Sequence, residues 1–342
     1  MTEASKNLPA AAGLKARAKV RWWELALLVV AIACWFIFPD QALLFNEITI
    51  LALFAVSLDL ILGYTGIVSL GHAAFFGLGA YSAALFAKYI NPDPLVGLII
   101  ALALPGVVGL ISSVLVMRGS DLTRLMVTLG VALIFFELAN KLDWLTGGAD
   151  GLQGVVMGPL LGKFEFDLFG RVAFAYSLVI TVICIYLLRR LVNSPFGLSL
   201  QAMRDNKLRA SSIGISVNSR IAVSYTISAA VAGLAGGLLA QTSGFASLDV
   251  FDFHRSADVV TVLVVGGTGY LYGGVFGAII YRMLHDVLAS WTPQYWNFWI
   301  GLFLVALMLV GRDRVLSPRR WVRRKAATPA AAPENAKESK AS

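Results

Sequence analysis

The chain has 342 residues, of which 58% are hydrophobic and 14% charged, with a net charge of +8. Soluble domains carry about a quarter charged residues, so an ordinary water-exposed globule is excluded. The basic residues sit beside apolar runs and at the two ends, which is the orientation pattern of membrane proteins and argues against a nucleic-acid surface.

Repeated apolar runs of about 20 residues predict spanning helices, whereas the alternating strands of a membrane barrel are missing. The expected fold is an all-α polytopic membrane protein with about 8–10 transmembrane segments, glycine-broken or re-entrant helices and both termini cytoplasmic. Cys34 and Cys184 each lie inside an apolar run and read as small buried hydrophobes, with no disulfide framework and no metal site.

Residues 1–21, with Lys6, Lys15, Arg17, Lys19 and Arg21, are expected to be a cytoplasmic tail. Residues 22–311 are expected to form the membrane domain, and 312–342 a basic, disordered cytoplasmic tail. Trp22 and Trp23 stand where an interfacial aromatic pair would, the first span follows to residue 38, and Pro39-Asp40 turns the chain. The second span, 44–62, contains Asp59, whose alternatives are snorkelling to the interface, capping a break at Gly63, or lining a pathway.

Residues 63–81 are rich in glycine, including Gly63, Gly66 and Gly71, and also carry Tyr64, Ser69 and His72. Such composition permits close helix contact or a broken helix shielded by protein. The third span ends near residue 89, and 91–94 reads as a turn. Spans at 95–117 and 122–142 follow, joined by a loop assigned Arg118 and Arg124. The second of these spans carries Glu137, read either as a pair with Lys141 four residues on or as a pathway group. Residues 143–170 are a longer polar segment expected outside, and 172–191 is the sixth span.

A basic, helix-compatible island then occupies 193–218, with Arg204, Asp205, Asn206, Lys207, Arg209, Ala210 and Gly214. It reads either as an orientation loop or as one short basic helix, a cytoplasmic lever tied to a span at each end and pushed by a soluble motor. The seventh span, 221–241, offers a face of small residues. Residues 257–289 are read as two shorter helices separated by a break at Gly266, Gly267 and Gly269, and the last span covers 298–310.

No enzymatic constellation is present. His72, His254 and His285 are far apart without ligand spacing, and the 266–269 glycines lack the Lys-Ser/Thr of a phosphate loop. The chain is therefore not expected to hydrolyse ATP.

Three blocks resemble the inner-membrane permease subunits of high-affinity branched-chain amino acid ABC importers, of the LivM type. They are 62–81, with Gly63-Tyr64-Thr65-Gly66 and Ser69-Leu70-Gly71-His72; 145–151, with Thr146-Gly147-Gly148; and 197–236, with Arg204-Asp205-Asn206, Ala210 and Gly214. The resemblance implies a multi-pass subunit of the bacterial inner membrane. It would form the pathway for branched-chain or related amino acids and contact membrane lipid. Its partners would be a second permease of the LivH type, two cytoplasmic ATPases that use the ATP, and a periplasmic substrate-binding protein. The chain itself would bind no cofactor and no nucleic acid. The segment 204–214 would be the coupling loop that inserts into the ATPase, and Asp59, Tyr64, Ser69, His72 and Glu137 are the pathway candidates. The resemblance departs at Asp59, where the family often has Asn, and at Leu133, where it often has an acidic residue. A urea or short-chain amide importer, and an ion-coupled transporter, are the alternative readings.

Overall fold

A computed structural model describes residues 22–119, 121–167 and 169–310. The tails assigned to 1–21 and 312–342 lie outside the described residues. Within them the structure has thirteen α-helices and no strand, only the isolated bridges Leu152–Ala246 and Leu160–Phe164. The chain divides into two compact units, one up to Met283 and one from Leu284.

In the first unit, α1 (Trp22–Ile37) is followed by a 3-10 turn (Pro39–Gln41) and α2 (Ala42–Thr65). α3 (His72–Tyr89), α4 (Pro94–Met117), α5 (Asp121–Lys141), the short α6 (Asp143–Thr146) and α7 (Arg171–Val192) come next. The island forms α8 (Pro195–Asp205) and α9 (Lys207–Ser212), and α10 (Val217–Ser243) returns through the bundle. A 3-10 turn (Leu248–Phe251) leads to α11 (Phe253–Gly266) and α12 (Gly273–Trp291). In the second unit lie the end of α12 and α13 (Trp296–Val310), where the His285 ring meets Trp296 edge-on at 4.5 Å.

Among the described residues, five helices are long and apolar enough to cross a membrane: the stretch Pro39–Thr65 containing α2, then α4, α5, α7 and α10. At about 1.5 Å rise per residue, a 24-residue helix such as α2 is about 36 Å long, enough for a hydrocarbon core of about 30 Å. α11, with 14 residues, reaches only about 21 Å. It starts part-way along the bundle, where the Ser256 hydroxyl accepts from the Ala73 amide at 3.0 Å and the preceding Phe251 stacks on Tyr81.

The centre of the bundle is α2, α3 and α10. Their small residues let backbones touch, as membrane helix pairs require. A Cβ at Gly79 of α3 would collide with the Gly233 carbonyl of α10, and one at Gly236 with the Phe76 carbonyl. Several polar side chains here pair between helices. His72 Nε2 lies 2.9 Å from Ser57 Oγ and 3.5 Å from Ser228 Oγ, and the Ser228 hydroxyl donates to the Ser57 carbonyl. At the end of the bundle opposite the island, the Gln241 amide donates to the Pro94 carbonyl at 2.7 Å and Tyr176 donates to Gln241 at 3.0 Å.

Three expectations are corrected. The island is two helices, because Asn206 leaves the helical region (φ −159°, ψ 108°) and caps α9 by accepting from the Arg209 amide at 2.9 Å. Arg124 belongs to α5 and not to a loop. It is buried, donating to the Val116 carbonyl at 2.9 Å and to Asp121 at 2.8 Å. Gly63 does not break its helix: α2 runs on to Thr65 and turns only at Gly66, whose φ of +73° is left-handed.

Candidate functional site

Two interruptions in helices meet the island at one end of the bundle. α2 stops at Gly66, and the chain crosses residues 66–71 before α3 begins. This first break is held on α5: the Leu70 amide donates to Thr128 Oγ1 at 3.3 Å, and Gly71 lies so near the Thr128 carbonyl that a Cβ would overlap it. The second break lies between α11 and α12, where Gly266 ends the helix and Gly267 (φ +105°) and Gly269 (φ +76°) turn the chain. Gly266 packs directly on the Gly273 carbonyl at the start of α12.

Asp59 joins the two breaks. Its side chain is fully buried, so it does not snorkel, and its Oδ1 accepts from the Gly269 amide at 2.7 Å. The cap at the break is therefore made to the second glycine segment, 210 residues away in sequence. Gly63 permits this approach, since a Cβ there would strike both the Asp59 carboxylate and the Gly269 nitrogen. Tyr64, in the last turn of α2 beside this cap, is also buried.

The island docks beneath this junction. α8 buries Leu200 and Met203 and packs on α2. One turn beyond Leu200, on the same face, Arg204 donates to the Gly63 carbonyl. Lys207 lies 3.6 Å from Asp121, and the Arg220 guanidinium sits 5.1 Å over the Phe196 ring. Ala210 is buried, Asn206 caps α9, and Gly214 turns the chain at φ +87°. Of the island residues singled out in the sequence, Asp205 and Arg209 have exposed side chains without such docking. Beside them stand Leu208, 82% exposed, and Ile213, 70% exposed. Sequence reading missed these two. Their only signal was an apolar residue on the polar side of a basic helix.

The remaining candidates occupy other settings. Ser69 and His72 are buried among helices. Glu137 lies 3.8 Å from Lys141 on an open face of α5, its side chain 56% exposed. The structure brings Asp59 and Tyr64 to the junction, sets Ser69 inside the first break and His72 at the start of α3, and leaves Glu137 away from it. No group of His, Cys, Asp and Glu fit to hold a metal occurs among the described residues.

The fold and this junction define a multi-pass helical membrane protein built around broken helices. A family model described as "Branched-chain amino acid transport system / permease component" matches residues 42–310, and the chain belongs to that family. The high-affinity branched-chain amino acid transport system permease protein LivM of Salmonella typhimurium is 28% identical over 340 aligned positions, covering 91% of this chain and 77% of that protein. LivM of Escherichia coli gives the same figures, 28% identity with 91% and 77% covered. A probable branched-chain amino acid transport permease protein, LivH of Methanocaldococcus jannaschii, is 26% identical over 270 positions, covering 75% of this chain and 81% of that one. No solved structure matches.

Proposed function

We propose that the chain is a permease subunit of an ATP-driven importer for branched-chain or related amino acids, set in the bacterial cytoplasmic membrane. The observation that carries this reading is membership of a permease family across residues 42–310, together with relatives named for that transport. A second permease of the LivH type shares the pathway, two ATPases bind at the island end, and a binding protein delivers substrate at the other. ATP is held by the ATPases, and this chain binds no cofactor.

The island favours the coupling role. It is two short helices between long ones, α7 and α10, with one face docked and the other presenting Asp205, Leu208, Arg209 and Ile213. An apolar pair ringed by charge suits a groove on a soluble partner, because buried apolar anchors supply affinity and charges set orientation. The chain provides the pathway and the lever, and the partners provide energy. Asp59, Tyr64, Ser69, His72 and Glu137 remain the residues proposed to act along the pathway. In this reading, Asp59 and Tyr64 hold the broken helices, and Glu137 lies on a face that a partner or the pathway covers, since a carboxylate is costly against lipid.

The test is isolation of the tagged full-length chain in mild detergent. Recovery of an ATPase with wild type, and loss of most of it with Leu208→Ala or Arg209→Glu at unchanged permease yield, supports the coupling surface. Full recovery with both variants overturns it.

A further inference from the structure

The Arg204 side chain reaches from the island to a break in a transmembrane helix. At the end of α2, the Ile67 amide, which would serve the Gly63 carbonyl if the helix continued, instead donates to Ile61 at 3.3 Å. The turn at Gly66 thus leaves the Gly63 carbonyl without its helical donor, and the Arg204 guanidinium supplies one. A cation at a helix C-terminus is also favoured by the helix dipole.

The same guanidinium borders the second break. A Cβ at Gly269 would lie 2.7 Å from Arg204 Nη1 and 3.1 Å from the Gly63 carbonyl oxygen, and a Cβ at Gly66 would lie 3.2 Å from Arg204 Cγ. Since Asp59 takes the Gly269 amide, two polar contacts flank the last turns of α2: Arg204 of α8 bonds the Gly63 carbonyl, and the α2 backbone links that carbonyl to Asp59, whose carboxylate holds the α11–α12 turn. Both breaks pack against one side chain of the island.

We propose that Arg204 is the intramolecular tie through which movement of the island reaches both helix breaks, a positioning residue rather than a docking contact for the ATPase. The inference rests on the coupling role proposed above for the island. Displacing α8 pulls on the Gly63 carbonyl, and the Asp59–Gly269 bond carries that displacement into the second break. Both arginines are exposed in part, but Arg204 turns its guanidinium onto Gly63 and Gly269, whereas Arg209, on the far side of the Asn206 cap, serves the partner instead.

Two measurements on the full-length protein test the tie. Hydrogen exchange reads it without any partner. Loss of a charge-assisted bond is expected to raise exchange in residues 60–72 and 264–273 about tenfold in Arg204→Ala, with Arg204→Lys restoring most of the protection and Arg209→Ala leaving both segments as in wild type. Exchange in Arg204→Ala equal to wild type overturns the tie.

The second measurement is uptake per ATP hydrolysed after reconstitution with the co-isolated subunits. Arg204→Ala is expected to lower this ratio about tenfold while retaining the ATPase, and Arg204→Lys to recover it within about threefold. Loss of the ATPase from Arg204→Ala as complete as from Arg209→Glu would make Arg204 a docking residue and overturn the proposal. Should wild type bring down no ATPase, the functional reading fails, while the exchange measurement still decides whether Arg204 holds the breaks.

Discussion

Asp59 shows how an acidic side chain persists inside an apolar bundle. A buried carboxylate is stable only where hydrogen-bond donors meet it, and here the Gly269 amide does so at 2.7 Å. Replacing Asp59 with Ala strands that amide, so Asp59→Ala is expected to lower stability by about 1–3 kcal/mol. Asp59→Asn keeps an acceptor oxygen and is expected to lose less. Thermal unfolding of the detergent-solubilised protein reads the difference, and equal midpoints for wild type and Asp59→Ala would contradict this account. In the sequence, Asp59 stood out as a costly residue, and its snorkelling, capping and pathway roles were all open. The bond that rules out snorkelling spans 210 residues, a distance no local pattern encodes. Arg204 was legible as a basic island residue, yet its partner Gly63 is 141 positions away and offers only a backbone carbonyl.

Among the elements, the contact of α3 with α10 is set by glycines whose replacement meets backbone and not a movable side chain. Overpacking costs about 1–3 kcal/mol, so Gly79→Val and Gly236→Val are expected to reduce the yield of folded protein and its unfolding midpoint. Gly130→Ala in α5, where an added Cβ meets nothing within 4 Å, serves as the control and is expected to be neutral. Equal losses at all three positions would contradict the packing argument. The ends of the long helices were readable because their hydrophobic length and turn residues coincide: Asp93-Pro94 opens α4, with Asp93 Oδ1 accepting from the Leu95 amide at 2.9 Å. The split of the island was not. Asn206 sits in a run of helix-compatible residues, and only its cap separates α8 from α9. Asn206→Ala is expected to cost about 0.5–2 kcal/mol of local stability, seen as faster exchange at the amides of α9; unchanged exchange would mean that the cap does not hold this helix.

At the scale of the whole molecule, the fold class followed from composition and apolar run length, and the structure agrees: ten helices of 14 or more residues and no strand among the described residues. Which segments lie against one another did not follow, since apolar helices of similar length have no distinguishing pattern until small residues and buried polar groups pair them. In the proposed function this chain is a conduit and lever driven by partner ATPases. Its most direct test is leucine uptake into proteoliposomes holding the permease with whatever subunits co-isolate, with and without ATP and the soluble binding protein. Uptake is expected to need both, with none from the chain alone. Leucine uptake by the purified chain alone, driven by an ion gradient and indifferent to ATP, would contradict it.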